Sequence, residues 1–474
     1  MGGLPLSLIA LAIASPPELS TRCFFHRFAS LSDMTTTTTH HLPADDAMRR
    51  VLHDEVHARP PARIRLPALV IYVAVFNSDV RREDELAHLQ KLSGQASLNI
   101  DQLSDNFLRL RLDGCTLKWE RHTEFTRYSI VQPLPEGAGL GVCDPELPVH
   151  ESISPAWIAG IPGRTFSAIK IAMVEGDLSD PVARLDDART WLGEHPVVAS
   201  LMGNQRHSII VTDFQLRETG YERMLIIAPP GTSETRAGRI SARLIELETY
   251  RLMALKGLPV SKLLGPQLGM AERQLVDITS QLENKSTSDQ ALLDTLVSLA
   301  AGVERLTAEH AYRFSATRAY HDLVEQRVAE LREQPIPGTQ TISEFMHRRL
   351  SPAMATVAAT SHRLTSLSER ISRASALLRT RVDIATEEQN RQLLEKLTRG
   401  QELQLNLQTT VEGLSIAAIS YYVVSLVYYF AKAGKLAGLP LSPEIVAGVS
   451  IPVVLFGVWR LTKRIHDKLH SGGH

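Results

Sequence analysis

Residues 414–430 read LSIAAISYYVVSLVYYF, a run of seventeen positions without a charge. At 1.5 Å per residue, a helix over this run covers about 25 Å, and Val411 can lengthen it toward the roughly 30 Å of a bilayer core. A second uncharged run, Ile445–Trp459 (IVAGVSIPVVLFGVW), follows after a short connection. Leu439 to Ser442 can extend it, at the cost of taking in Pro440, Pro443 and Glu444. Tyr428, Tyr429 and Trp459 fall where an interfacial aromatic belt would sit. The pair predicts a two-helix membrane hairpin over 411–460. A core hairpin of a soluble protein would share the apolar pattern, but not the basic residues that bracket it.

Those basic residues set an orientation. Arg391, Lys396 and Arg399 precede the first run, and Arg460, Lys463, Arg464 and Lys468 follow the second. Only Lys432 and Lys435 lie between the runs. Basic residues concentrate on the cytoplasmic side of spans, so both termini are expected there. The expected location is a bacterial inner membrane, with 461–474 as a basic cytoplasmic tail and the lipid bilayer as a partner.

Chain averages conceal this hairpin. Over 474 residues, 51 Lys+Arg balance 52 Asp+Glu for a net charge of -1, and the mean hydropathy is -0.06. This balance excludes a protein built mainly to grip nucleic acid. Three cysteines, Cys23, Cys115 and Cys143, cannot form a disulfide framework and fit a reducing compartment.

Upstream of the hairpin the chain divides by pattern. Residues 1–44 contain the apolar run Leu4–Ala14 with no Lys or Arg before it. They are expected to be a disordered or misassigned extension, with Met34 the working start; a weak signal or a third membrane segment is the alternative. Residues 45–235 read as an α+β (mixed α/β) domain. Its expected strands are Leu69–Phe76, Phe107–Leu112, Leu117–His122, Phe125–Val131, Thr165–Val174, His207–Leu216 and Arg223–Ala228. Asp113-Gly114 signals a hairpin. Helices are expected at Asp45–His57, Asp79–Leu92 and Asp186–Leu192.

After Pro229-Pro230-Gly231 no further strand is expected, and 236–410 read as long helices in a coiled-coil-like region. These are Ala237–Lys256, Lys262–Glu283, Asp289–Glu333 and, after Pro335-Ile336-Pro337-Gly338, a last one from Thr341. Leu364, Leu367, Ile371, Ala374, Leu378, Val382 and Ala385 form a seam with steps of three and four. Two packings satisfy it: 341–400 antiparallel on 289–333 within one chain, or a homo-oligomer through 341–400.

Two clusters concentrate reactive side chains. In His53-Asp54-Glu55-Val56-His57-Ala58-Arg59-Pro60-Pro61, His53 and His57 stand one helical turn apart and could share a metal. Glu55 sits two residues after the first His, which departs from the zinc-protease HExxH pattern. A plainer reading is a helix end carrying cations and closed by proline. In Trp119–Phe125, strand alternation would align Glu120, His122 and Glu124 on one face, as a ligand set, an acid/base pair or a solvated row. Weak catalytic candidates are therefore His53, Glu55, His57, Arg59, Glu120, His122 and Glu124, with His53 and His57 as metal candidates. No Walker loop, GxGxxG, GxSxG, CxxC or zinc-finger spacing is present, and Gly137-Ala138-Gly139-Leu140-Gly141 is a weak phosphate signal. No cofactor is legible.

Four strings, His53–Pro61 (HDEVHARPP), Leu117–Phe125 (LKWERHTEF), Glu246–Leu255 (ELETYRLMAL) and Val411–Tyr422 (VEGLSIAAISYY), together resemble a bacterial family of membrane-anchored proteins, domain of unknown function (DUF) 3422. The likeness runs over about 45–465. Asp54 departs from it, since the family carries Asn there. The resemblance implies the anchor and the domain extent and supplies no catalytic residue. The layout alone also resembles CorA-type magnesium channels. Those carry Gly-Met-Asn after the first span, where this chain has Tyr429-Phe430-Ala431-Lys432-Ala433-Gly434.

The reading that follows is a membrane-anchored cytoplasmic binding, scaffolding or regulatory module. The alternatives are a CorA-like oligomeric ion transporter and a membrane-tethered metal-dependent hydrolase.

Overall fold

The computed structural model describes residues 46–50, 52–53, 62–134, 152–284, 287–436 and 442–470. The chain divides into two units, Met1–Pro60 and Pro61–His474. Of the first, only the residues around the helical positions 49–50 and 52–53 are described, and His53 is exposed there. Glu55, His57, Arg59, the 1–44 extension and the 137–141 glycines lie outside the described residues.

The second unit opens on β1 (Ala68–Phe76, ALVIYVAVF), buried along almost its whole length. Such an unbroken apolar strand requires cover on both faces. Among the described residues the strands form one nine-stranded sheet with β1 near its middle. The others are β2 (Phe107–Leu112), β3 (Cys115–Arg121), β4 (Phe125–Pro133), β5 (Arg164–Glu175), β6 (Val198–Leu201), β7 (Ile209–Thr212), β8 (Glu222–Ala228) and β9 (Gln334–Pro335). The order is β2-β3-β4-β1-β5-β8-β7-β6-β9. β5 and β8 run parallel; the other neighbours are antiparallel. Leu112 pairs with Cys115, so Asp113-Gly114 makes the two-residue turn, with Gly114 at φ 76°.

Alternation splits the strands between two cores. Leu69, Ile71, Val73 and Val75 of β1 point to one face, where α1 (Arg82–Leu89), α2 (Pro155–Ala159) and α3 (Pro181–Leu192) pack around Trp119, Trp157 and Trp191. Val70, Tyr72 and Ala74 point to the other face, which the long helices cover.

The first of these, α4 (Glu234–Leu255), lies directly on the sheet through Ile240, Leu244 and Leu247. Gly238 permits the approach: a Cβ there would stand 1.6 Å from the carbonyl oxygen of Ala62. That neighbour is backbone and cannot swing aside. Gly238→Ala is therefore expected to destabilise the body by about 1–3 kcal/mol, read as a fall in denaturation midpoint.

α5 (Gly257–Asn284), α6 (Asp289–Leu331), α7 (Ile342–Arg349) and α8 (Ser351–Leu436) follow. Ser288 caps α6 by accepting from the Ala291 amide, and Thr341 with Glu344 forms a capping box on α7. Two expectations are corrected. A strand does follow Pro229: Gln334 and Pro335 pair with Leu201 and Ser200 of β6. Two residues carry no periodicity, so only their partner defines them. β6 itself was not expected, because Val198-Ala199-Ser200-Leu201 shows no apolar–polar alternation.

α8 is 86 residues long, about 130 Å of continuous helix. Met354, Val357, Leu364, Leu367, Ile371 and Leu378 are buried against α5 and α6, so the seam first closes within the chain. This packing stops well short of residue 400. Arg381 makes the last ties, to the Leu282 carbonyl at 2.8 Å and to Asp289 at 3.1 Å. Those groups belong to the end of α5 and the start of α6, so neither of these helices extends further along α8. Residues 383–411 are exposed at every position.

α8 then enters the first apolar run, and α9 (Pro443–His470) packs back on it. Two helices here are long and apolar enough to cross a membrane, and their most apolar windows are 11% and 0% buried in the protein. A core hairpin would bury those faces. Here Phe430, Val449 and Val453 point outward.

Candidate functional site

The Trp119–Phe125 string lies at the β3–β4 hairpin. β3 ends at Arg121, so Glu120, His122 and Glu124 do not form a strand row. His122-Thr123-Glu124 is the turn, closed by the His122 amide donating to the Phe125 carbonyl at 2.7 Å. The His122 ring stacks on Phe125, with centroids 4.5 Å apart. The three residues reach three different settings.

Glu120 is buried on the helical face. It accepts from Arg127 Nε at 2.6 Å, and Lys118 Nζ lies 3.0 Å from its other oxygen. Arg127 Nη2 is 3.9 Å from Glu246 on α4, and Glu246 accepts from Arg327 Nε on α6 at 2.7 Å. Arg327 reaches Glu330 at 2.9 Å, and Glu330 lies 3.6 Å from Arg243. Alternating charges thus run from the sheet, across α4, to α6. Burial raises the carboxyl of Glu120, but the charges of Arg127 and Lys118 outweigh it and hold the group down at about 2.

Arg121, one residue on, faces the opposite core. It donates to Glu85 at 2.6 Å and to the Val80 carbonyl at 2.9 Å, while Thr126 donates to the second Glu85 oxygen at 2.6 Å. Glu124, in the turn, accepts from Arg313 of α6 and lies 3.6 Å from Lys256. Lys256 Nζ also sits 4.1 Å over the Phe76 ring.

The Glu246–Leu255 string occupies the stretch of α4 facing this hairpin. Thr249 donates to the Ile245 carbonyl at 2.7 Å, so its oxygen accepts from the Tyr72 hydroxyl at 2.6 Å. Glu248 accepts from Arg251 Nε at 2.8 Å, and Arg251 lies 3.7 Å from Glu222 of β8. Burial, then the neighbouring Glu248 charge, push the Glu222 carboxyl up to about 9. Arg127 of β4 therefore links the two strings, through Glu120 of one and Glu246 of the other, and the Tyr72–Thr249 hydroxyl pair ties α4 to β1 beside them. Sequence reading missed Arg127, Glu222, Arg313 and Arg327. Arg127 alone carried a signal, as the one charge inside the Phe125–Val131 strand.

Space at this seam is small. Lys118, Glu120, Arg127 and Ser241 bound a void of about 30 Å³, the size of one water. Larger clefts lie elsewhere: about 610 Å³ between α6 and α8, beside Phe314, His321 and Met354, and about 660 Å³ beside Lys170 and Tyr221. Among the described residues no group of three His, Cys, Asp or Glu side chains is placed to hold a metal ion. What the seam can do is fix the helices to the sheet and keep a proton on the Glu222 carboxyl.

That proton has a consequence for stability. A free glutamate ionises near 4.5, whereas Glu222 holds its proton to about 9. Between those values the folded chain binds more protons than the unfolded one, so this group lowers stability as pH rises. Glu222→Gln is expected to flatten the fall in melting temperature between pH 6 and pH 9, measured by thermal melts across that range.

The model of a family described as "Protein of unknown function (DUF3422)" matches residues 44–469. Neither the curated proteins nor the solved structures contain a significant match. The chain belongs to the DUF3422 family.

Proposed function

We propose that this protein is a binding or regulatory module anchored in a bacterial inner membrane, with its sheet-and-helix body on the cytoplasmic side. The carrying observation is the continuity of α8. One unbroken helix packs on the body at Met354 and runs into the outward-facing apolar run that ends near Leu436. Body and hairpin are joined without a flexible linker. The basic residues flanking the hairpin supply the orientation.

The two alternatives fare less well. A CorA-like transporter shares the long helix entering the first span. Lys432 and Lys435, exposed at the hairpin turn, oppose cation entry at a pore mouth. A hydrolase using Glu120 would need that carboxylate freed from Arg127 and Lys118, and space for more than one water.

Topology reporters test the reading. A periplasm-active phosphatase fused after His474 is expected to stay silent, and the same enzyme inserted in the 437–441 connection to be active. Activity at the C-terminus overturns the orientation.

A further inference from the structure

The exposed part of α8 between Arg381 and the membrane is itself a patterned surface. Positions 386, 390, 393, 397, 400, 404, 407, 411 and 414 fall at alternating steps of four and three, and hold Thr, Asn, Leu, Leu, Gly, Gln, Leu, Val and Leu. Written as a heptad, Thr386, Leu393, Gly400, Leu407 and Leu414 take d, and Asn390, Leu397, Gln404 and Val411 take a. Glu388, Arg391, Glu395, Arg399, Glu402 and Glu412 all fall at the outward b, c and f positions. Of the charges in this stretch only Glu387 and Lys396 flank the seam. In a parallel pair they meet Val382 and Gln401 of the other helix, so no like charges oppose.

Among the described residues nothing covers this seam: Leu397 is 56% exposed, Leu407 68% and Val411 60%. The span's other helix does not cover it. Ser420 and Ala431, buried at the hairpin, lie about 100–180° around the helix from Leu407, Val411 and Leu414 at 100° per residue. Gly400, in the middle, weakens a lone helix by about 1 kcal/mol.

We infer that residues 386–414 pair with the same stretch of a second copy as a parallel two-stranded coiled coil standing on the membrane. A second copy fits because the anchor places every copy's seam at one height, so identical residues meet in register. Asn390 at an a position is the kind of polar core residue that selects a parallel, in-register pair. The inference rests on the anchoring proposed above. It moves self-association away from 341–381, whose seam is already covered by α5 and α6.

Disulfide scanning of the full-length chain in native membranes tests it. The native cysteines are first replaced (Cys23→Ser, Cys115→Ala, Cys143→Ser), and single cysteines are placed on the stalk. Leu393→Cys, Leu397→Cys, Leu407→Cys and Val411→Cys are expected to give a band of twice the chain mass on mild oxidation. Its yield should be about five-fold or more above Glu388→Cys, Glu395→Cys and Glu402→Cys, since a disulfide needs close, facing Cβ atoms. Adding Leu397→Glu and Leu407→Glu should suppress the Leu393→Cys dimer about as strongly, through charge placed in the seam. No dimer, equal yields at all positions, or a band of another mass overturns the pairing. Fractionating the same samples separates the two claims. A chain absent from the membrane refutes the anchor, while the cross-linking pattern decides the pairing in either fraction.

Discussion

Arg127→Ala is expected to lower the stability of the body by about 3–5 kcal/mol, the range for removing one partner of a buried ion pair. Arg127 is buried and bridges Glu120 of the sheet and Glu246 of the helical layer. Its loss leaves Glu120, 1% exposed, to lean on Lys118 at 3.0 Å. Burial pulls the Lys118 ammonium below its usual range, which makes it a poorer replacement. Arg127→Lys keeps the charge and loses the planar fork, so a smaller loss is expected. Replacing both members, Glu120→Leu with Arg127→Met, should cost less than the sum of the single changes, because the two paired charges leave together and only Lys118 loses a partner. Arg363→Ala is the control. It breaks a well-formed pair with Glu272 on the exposed side of the bundle and should cost under about 1 kcal/mol. Denaturant titrations of these four variants and of the Glu120→Leu and Arg127→Met single changes check the series. Similar losses for Arg127→Ala and Arg363→Ala would reduce the seam to surface electrostatics.

Ending the chain at Thr410 is expected to give a protein soluble without detergent whose body melts within about 2 °C of the full-length chain. The hairpin windows are 11% and 0% buried and contribute almost no surface to either core. The packing that holds the body is complete by Arg381. What the deletion removes is the exposed apolar surface of 411–464, far larger than the patches tolerated on soluble monomers. Circular dichroism melts and sedimentation without detergent check both parts. A truncated chain that aggregates or melts much lower would mean that the hairpin packs on the body.

Most of the sheet was legible in the sequence because its strands are long enough to show a period. Ala68–Phe76, Phe107–Leu112 and Arg164–Glu175 declare themselves by runs or alternation within six to twelve residues. Val198–Leu201 and Gln334–Pro335 do not: the first has no apolar–polar alternation, and the second exists through pairing with a distant partner. The candidate site was half legible for the same reason. The string around Glu120 stood out by composition, the one around Glu246 only through the family resemblance. The ion pairs joining residues 127 and 246, or 124 and 313, depend on sequence separations that no local pattern encodes. Alternation also misled where a hairpin ended it: the Glu120, His122 and Glu124 row dissolves because the strand stops at Arg121. The α8 seam showed its spacing in advance, but spacing is silent about whether the partner helix belongs to the same chain. The ends of α5 and α6 decide that, at Arg381.

The anchor is tested most directly by alkaline carbonate extraction of membranes from cells expressing the full-length chain. The hairpin predicts that the chain stays in the pellet with integral proteins, while the form ending at Thr410 goes to the wash. Recovery of the full-length chain in the wash would contradict it.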